Sequence, residues 1–232
     1  MRFDVRAGAQ TYDCSDKGDD LEEFYMYRRN LPHWRAPGSI YFVTFRLADS
    51  IPQHVIAEWQ HERKTWFAAH RITPGLSEGK FKELYEAIPE AVRAAFERDC
   101  ARKYFLELDR GHGECVLRKP DAAEVVASAM RFFNGARLQC GDFVVMPNHV
   151  HWLLMPMNGY VLEDILQSVK SYSANKINKA LGRQGGLWQR ESHDHIVRDR
   201  EEMIRIRRYI VNNPDKAQLK STDYIYSSAE LM

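Results

Sequence analysis

The hydrophobic pattern of the chain predicts four β-strands. Each predicted strand is rich in β-branched and aromatic residues and is bounded by turn-forming residues. The four segments are "SIYFVTFRL" (39–47), "RLQCGDFVVM" (137–146), "HVHWLLMP" (149–156) and "LWQRESHDHIVRD" (187–199). The second and third are separated only by Pro147 and Asn148, which predicts a tight turn between two antiparallel neighbours.

After the first strand, the pattern changes to charged segments with helical spacing. These segments run from Pro52 to about Asp109 and are interrupted by Pro74, Gly75, Gly79 and Pro89. We therefore expect a helical insertion over residues 53–110 within a single domain that spans residues 1–232.

Three further helices are predicted downstream. "DAAEVVASAMRFFN" is amphipathic and begins with Asp121 as an expected N-cap. A long helix from Val161 to Leu181 is expected to end at Gly182. The last helix is expected to start at Asp199, with Glu202 completing a capping box, and to stop at Pro214.

Without the insertion, the predicted order is strand, helix, strand, strand, helix, strand, helix. This order is typical of an α+β, ferredoxin-like (split βαβ) antiparallel sheet with helices on one face, followed by a C-terminal helix. Because this fold supports many activities, the function has to be argued from particular residues.

The composition indicates a folded protein without a membrane span. Of 232 residues, 44% are hydrophobic, and no apolar run approaches the roughly 20 residues that cross a bilayer. The N-terminus lacks the apolar core of a signal peptide, so we expect a cytoplasmic protein. The four cysteines form no CxxC pair, which argues against a zinc knuckle or a disulfide framework; they are Cys14, Cys100, Cys115 and Cys140.

Positive charge is concentrated near the C-terminus, although the net charge of the chain is only +1. Residues 165–220 contain twelve Lys or Arg but six Asp or Glu. A solvated helix surface would explain such a charge run. However, Tyr172, Trp188 and Tyr209 are interleaved with these charges, and this mixture is typical of a groove that binds single-stranded nucleic acid.

The third predicted strand carries two histidines, His149 and His151, in an apolar setting. Residues i and i+2 of a strand face the same side, roughly 6.6 Å apart along the chain, so both imidazoles can bind one metal ion. An HxH pair alone is also compatible with ordinary histidines on a sheet face. A second pair, His193 and His195, offers an alternative metal site on the fourth strand.

The last predicted helix contains "RRYIVNNP" (207–214). Its spacing directs Met203, Ile206 and Ile210 toward the sheet, with a neighbouring stripe of Arg205, Tyr209 and Asn213. A tyrosine in this stripe could simply cover the core. Asn213, however, offers an amide oxygen one turn from the phenol, so a metal bound by Asn213 and the two histidines would lie beside Tyr209.

These motifs together resemble the REP-associated tyrosine transposases, relatives of the single-tyrosine HUH transposases that act on single-stranded DNA. The resemblance runs through "LPHWRAPGSIYFVTFRLADSIP" (31–52), "MPNHVHWLLMP" (146–156), "LQSVKSYSANKIN" (166–178), "LWQRESHDHIVRD" (187–199) and "RRYIVNNPDKAQL" (207–219). The helical insertion departs from the pattern of a minimal family member.

The resemblance implies a metal-dependent endonuclease and strand transferase acting on single-stranded or hairpin DNA through a 5′-phosphotyrosine intermediate. It implies that His149, His151 and Asn213 bind Mg²⁺ or Mn²⁺ and that Tyr209 is the nucleophile. Members of this group occur as monomers and as homodimers, and both states remain open for this chain.

The basic third supplies candidate DNA contacts. We expect phosphate contacts from Lys170, Lys176, Arg190, His195 and Arg198, and a stacking surface from Trp188.

Three alternative functions remain open: a domesticated regulator that binds DNA without cleaving it, a metal-dependent phosphohydrolase that activates water, and an RNA-binding module on the same sheet.

Overall fold

The computed structural model describes residues 38–231, which lie in one compact unit. Cys14 and residues 31–37 of the first family-like segment fall outside the described residues. Cys100, Cys115 and Cys140 are free thiols. No helix within residues 38–231 combines the length and the apolar character that spanning a membrane requires.

In the described part of the chain, five strands form one antiparallel sheet, and the predicted α+β class is confirmed. The strands are β1 (Tyr41–Arg46), β2 (Leu138–Val145), β3 (His149–Pro156), β4 (His193–Ile196) and β5 (Ile225–Ser227). Their spatial order is β4-β1-β3-β2-β5. The sequence did not predict β5, because its three residues are too few to show a periodic pattern.

Within residues 38–231, six helices accompany the sheet. The segment after β1 contains α1 (Gln53–Ala69), α2 (Glu78–Glu86) and α3 (Glu90–Asp109). A short 3₁₀ turn at Val116–Arg118 follows, and the remaining helices are α4 (Pro120–Arg131), α5 (Leu162–Leu181) and α6 (Arg200–Lys216). As predicted, α5 ends at Gly182 in the left-handed conformation, with a φ of 62°.

Two predicted helix boundaries are wrong. Helix α4 begins at Pro120 rather than after an Asp121 cap, because the fixed φ of proline suits the first helical position. Helix α6 continues through Pro214 to Lys216. Pro214 removes only its own hydrogen bond, and the Ala217 backbone N–H still donates to the Asn213 carbonyl over 3.1 Å. At the start of α6, the predicted Asp199 cap is present and accepts from the Glu202 backbone N–H over 2.7 Å.

Alternation along the strands divides the buried side chains between the two faces of the sheet. The larger cluster contains Phe45, Val150 and Trp152, together with buried residues of α4 and α5. The opposite cluster contains Phe42 and Leu153, against which Ile210 of α6 packs. Helix α6 therefore covers the face to which His149 and His151 belong.

Candidate active site

Strand pairing places the two histidines near the middle of the sheet. His149 lies opposite Arg46 and His151 opposite Thr44, both on β1. Both imidazoles are completely buried, and their Nε2 atoms are 3.1 Å apart. The same-face orientation predicted from the HxH spacing thus brings two potential ligand atoms together.

Neighbouring polar side chains orient the two rings. The Asn148 amide nitrogen donates to the carbonyls of Leu108 and His112, which leaves the Asn148 Oδ1 atom to accept from His149 Nδ1 over 2.7 Å. Thr44 Oγ1 lies 2.7 Å from His151 Nδ1 and can accept a hydrogen bond from the Nδ1–H group. In these tautomers both Nε2 atoms carry lone pairs, and hydrogen bonds of this kind orient metal-binding histidines.

Burial keeps both histidines neutral. It lowers the pKa of His149 to about 3. The pKa of His151 is also held well below its usual value, first by burial and then by the neighbouring histidines His149 and His193. Neutral imidazole is the form that binds a metal, so the pair is ready for a cation at physiological pH.

Helix α6 brings Tyr209 and Asn213 to the histidine pair. The Tyr209 hydroxyl lies 3.2 Å from His151 Nε2. Asn213 is completely buried, and its Nδ2 donates to Asp109 Oδ1 over 3.3 Å. The Asn213 Oδ1 atom is buried without a hydrogen-bond partner in the part of the chain that the structure describes. A cation bound by the histidines would satisfy this oxygen, so the donor set fits a divalent metal.

Asp109 is a site residue that sequence reasoning missed. Among residues 38–231, Asp109, His149 and His151 form the only group of three His, Cys, Asp or Glu side chains whose ligand atoms converge. Asp109 Oδ1 lies 4.0 Å from His149 Nε2, and because His149 is neutral this contact is no ion pair. The one local signal was an acidic residue at the C-terminal end of a helix, where negative charge is unfavourable.

Aromatic rings and one lysine surround the Tyr209 side chain. The Phe105 ring of α3 lies 5.9 Å from the Tyr209 ring and 5.7 Å from the His151 ring. Burial raises the pKa of Tyr209 above its ordinary value, and the nearby Asp109 charge raises it further. Tyr209 is therefore a neutral phenol at physiological pH. Lys216, one helical turn beyond Asn213 and not predicted as a site residue, places its Nζ 5.1 Å from the Tyr209 ring centre.

Two predicted DNA contacts lie on α5 and one on the loop beside it. Lys170 Nζ donates to the Arg190 carbonyl over 2.7 Å, and burial lowers the pKa of Lys170 to about 8. Lys176 is exposed and lies 5.9 Å from the Tyr172 ring centre. Arg190 is also exposed.

The three remaining candidate DNA contacts differ in their exposure to solvent. His195 is half-buried, with its Nε2 2.9 Å from Glu202 Oε1, and Arg198 is exposed. Trp188, in contrast, is only 8% exposed and donates from Nε1 to Ser173 Oγ over 3.0 Å. The prediction that Trp188 offers a stacking surface is therefore wrong, because its ring packs in the core, 4.9 Å from that of Phe45.

Comparison with known proteins finds a transposase family over part of the chain. Residues 114–213 match the family described as "Transposase IS200 like". No curated protein matches the chain. A solved REP-associated tyrosine transposase bound to a REP hairpin is 13% identical, with 84% of this chain and 90% of that chain covered and a TM-score of 0.39. A candidate transposase from Deinococcus radiodurans is 14% identical, with 78% and 95% covered and a TM-score of 0.34.

Proposed function

Because residues 114–213 match the IS200-like transposases, we propose that this transposase-like chain is a metal-dependent endonuclease and strand transferase for single-stranded or hairpin DNA. Tyr209 is its nucleophile. The observation that carries the proposal is the 3.2 Å distance between the Tyr209 hydroxyl and the His151 imidazole within one chain. A nucleophile next to a metal-binding pair is the arrangement that phosphoryl transfer requires.

His149, His151 and Asn213 would hold the metal, which is Mg²⁺ or Mn²⁺. The histidine nitrogens favour Mn²⁺, whereas the amide oxygen suits both ions. When bound, such an ion acts as a Lewis acid that polarises the scissile phosphate and offsets the charge that develops on it. This help matters because the raised pKa of Tyr209 leaves little phenolate at neutral pH.

The proposed step exchanges one phosphate ester for another. The Tyr209 oxygen bonds to phosphorus, the bond from phosphorus to the 3′ oxygen breaks, the phenol loses its proton and the 3′ oxygen gains one. The products are a 5′-phosphotyrosine and a free 3′-hydroxyl. Attack by another 3′-hydroxyl reverses the step and joins strands without a nucleotide cofactor.

The basic C-terminal third is the proposed DNA-binding surface. Lys176, Arg190 and Arg198 are exposed and able to contact phosphates. Two further candidates are half-buried: Lys170, which donates to the Arg190 carbonyl, and His195, which lies three residues before Arg198. We add Lys216, because it is the cation beside the Tyr209 ring.

Covalent trapping tests the proposal directly. We expect end-labelled DNA hairpins with randomised flanks, incubated with the full chain and Mn²⁺, to yield a protein–DNA adduct that survives denaturing electrophoresis. Tyr209→Phe should abolish the adduct. The matched control is Tyr160→Phe, because Tyr160 is 41% exposed and outside the site, and this variant should form the adduct as wild type does.

The alternatives give different outcomes in the same assay. A phosphohydrolase would cleave DNA in Tyr209→Phe but not in His149→Ala, and a non-cleaving regulator would bind the hairpins without any adduct. An RNA-binding module would bind RNA independently of metal and cut nothing. An adduct that persists in Tyr209→Phe, or its absence from wild type, contradicts the proposed function.

A further inference from the structure

We propose that Asp109, at the end of α3, is a fourth ligand of the metal held by His149, His151 and Asn213. The helical segment 53–109 would then complete the metal site rather than only extend the fold. The inference rests on the proposed metal at the histidine pair, and it goes beyond the family match, which begins at residue 114.

The ligand atoms of Asp109, His149 and His151 all lie within 4.8 Å of one another. Two donor atoms can share an ion when their separation is at most twice the metal–ligand distance, roughly 4.2 Å for bonds of about 2.1 Å. The His149 and His151 Nε2 atoms are 3.1 Å apart, and Asp109 Oδ1 lies 4.0 Å from His149 Nε2. Both separations from His149 satisfy this condition.

The turn that carries His149 fixes the position of Asp109. Asn148, which is 1% exposed, donates to the carbonyl of Leu108 over 3.3 Å and to that of His112 over 3.1 Å. These two carbonyls flank Asp109 in the chain, and the same Asn148 side chain orients the His149 ring. The buried Asn148 amide therefore fixes both the position of the Asp109 segment and the orientation of the His149 ring.

Among residues 38–231, no Lys or Arg forms an ion pair with Asp109, although the charge of Lys216 acts on it from a longer distance. Asp109 ends α3, where the helix dipole is negative, and the last turn of α3 contains no basic residue. Its side chain is only 20% exposed, and its hydrogen-bond donor among the described residues is the neutral Asn213 amide. A divalent cation between Asp109 and the histidines would supply a positive charge in direct contact with the carboxylate.

A carboxylate ligand would change which metals the site prefers. His149, His151 and Asn213 are all neutral donors, so Asp109 contributes the only negative charge of the set. Carboxylate oxygens favour Mg²⁺ and Mn²⁺, whereas imidazoles bind Ni²⁺ more strongly. Loss of the Asp109 charge should therefore weaken Mn²⁺ binding more than Ni²⁺ binding.

Metal titration of the full chain without DNA tests this inference. Free Mn²⁺ is measured by its electron paramagnetic resonance signal, and Ni²⁺ binding by calorimetry. We expect Asp109→Asn to weaken Mn²⁺ binding at least tenfold and to lower the ratio of Mn²⁺ to Ni²⁺ affinity. Asp99→Asn is the matched control on the same helix, where the Asp99 side chain is 41% exposed, and it should change Mn²⁺ affinity less than twofold.

The variant also separates ligation from positioning. Asp109→Asn retains an oxygen that can accept from the Asn213 amide, so a role confined to holding Asn213 would leave Mn²⁺ binding unchanged or lower both metals equally. Either result overturns the inference. Where thermal melting shows that Asp109→Asn does not fold, Asp109→Ser carries the same expectations.

His149→Ala distinguishes failure of this inference from failure of the proposed function. If His149→Ala loses Mn²⁺ binding and Asp109→Asn does not, the Asp109 carboxylate is not a ligand, but the proposed metal site at the histidines is supported. When neither substitution weakens Mn²⁺ binding, or wild type binds no Mn²⁺, the inference and the proposed metal site are both wrong.

Discussion

His149 is a neutral imidazole in a buried position, and this state should make the metal-free protein sensitive to acid. Its folded pKa of about 3 lies below the value of about 6.5 expected in the unfolded chain. The unfolded state therefore binds more protons below pH 6.5, and stability is lost as the pH falls from 6.5 toward 3. At pH 5 the loss from His149 alone is about 2 kcal/mol.

Urea unfolding at pH 7 and pH 5 measures this effect. His149→Ala should lower stability at pH 7 but reduce the further loss between pH 7 and pH 5. The exposed His54 provides the comparison, since His54→Ala should leave that loss as it is in wild type. A pH dependence that is identical in His149→Ala and wild type would contradict the neutral, buried state.

At the scale of single elements, β2 contains a register shift between Cys140 and Phe143, and Gly141 lies within it. A Cβ at this position would lie 2.7 Å from Leu231 Cδ1 and 2.8 Å from the Leu153 carbonyl oxygen. The oxygen belongs to the backbone and cannot move aside, so Gly141→Ala should destabilise the protein by about 1–3 kcal/mol.

Gly79 is the natural comparison for Gly141. It lies inside α2 and has no atom within 4 Å of an added Cβ, so Gly79→Ala should stabilise the protein by about 0.5–1 kcal/mol. Thermal or urea unfolding of both variants shows whether each substitution lowers or raises the free energy of unfolding. A Gly141→Ala protein as stable as wild type would show that β2 does not need the close approach.

The elements also show what a local pattern can predict. Strand β3 has the predicted bounds, because its apolar run starts directly after the Pro147 and Asn148 turn and ends at Pro156. The helical spacing correctly placed Tyr209 and Asn213 one turn apart on α6. Asp109 could not be found in this way, because it lies 40 residues before His149 and their approach depends on tertiary contacts made by Asn148.

For the whole molecule, the uneven charge predicts how DNA binding responds to salt. Each phosphate contact on single-stranded DNA adds about 0.7 to the slope of log affinity against log salt concentration. Replacing four candidates with alanine should reduce the slope by about 3. The four are Lys170, Lys176, Arg190 and Arg198.

Fluorescence anisotropy with a labelled hairpin at several NaCl concentrations measures this slope. Lys64→Ala changes an exposed charge on α1, outside the basic third, and should leave the slope unchanged. A fourfold variant with the wild-type slope would place the DNA on another surface.

The buried carboxylate of Asp142 ties the end of the chain to the helix that carries Tyr209. It accepts from Arg207 Nε over 2.9 Å and from the backbone N–H of Ala229 over 2.9 Å. A premature stop codon at position 221 would leave residues 114–213 intact and still remove half of this anchor. Such an allele should behave as a loss-of-function allele, detectable as a lowered melting temperature and a missing adduct, although every proposed catalytic residue is still encoded.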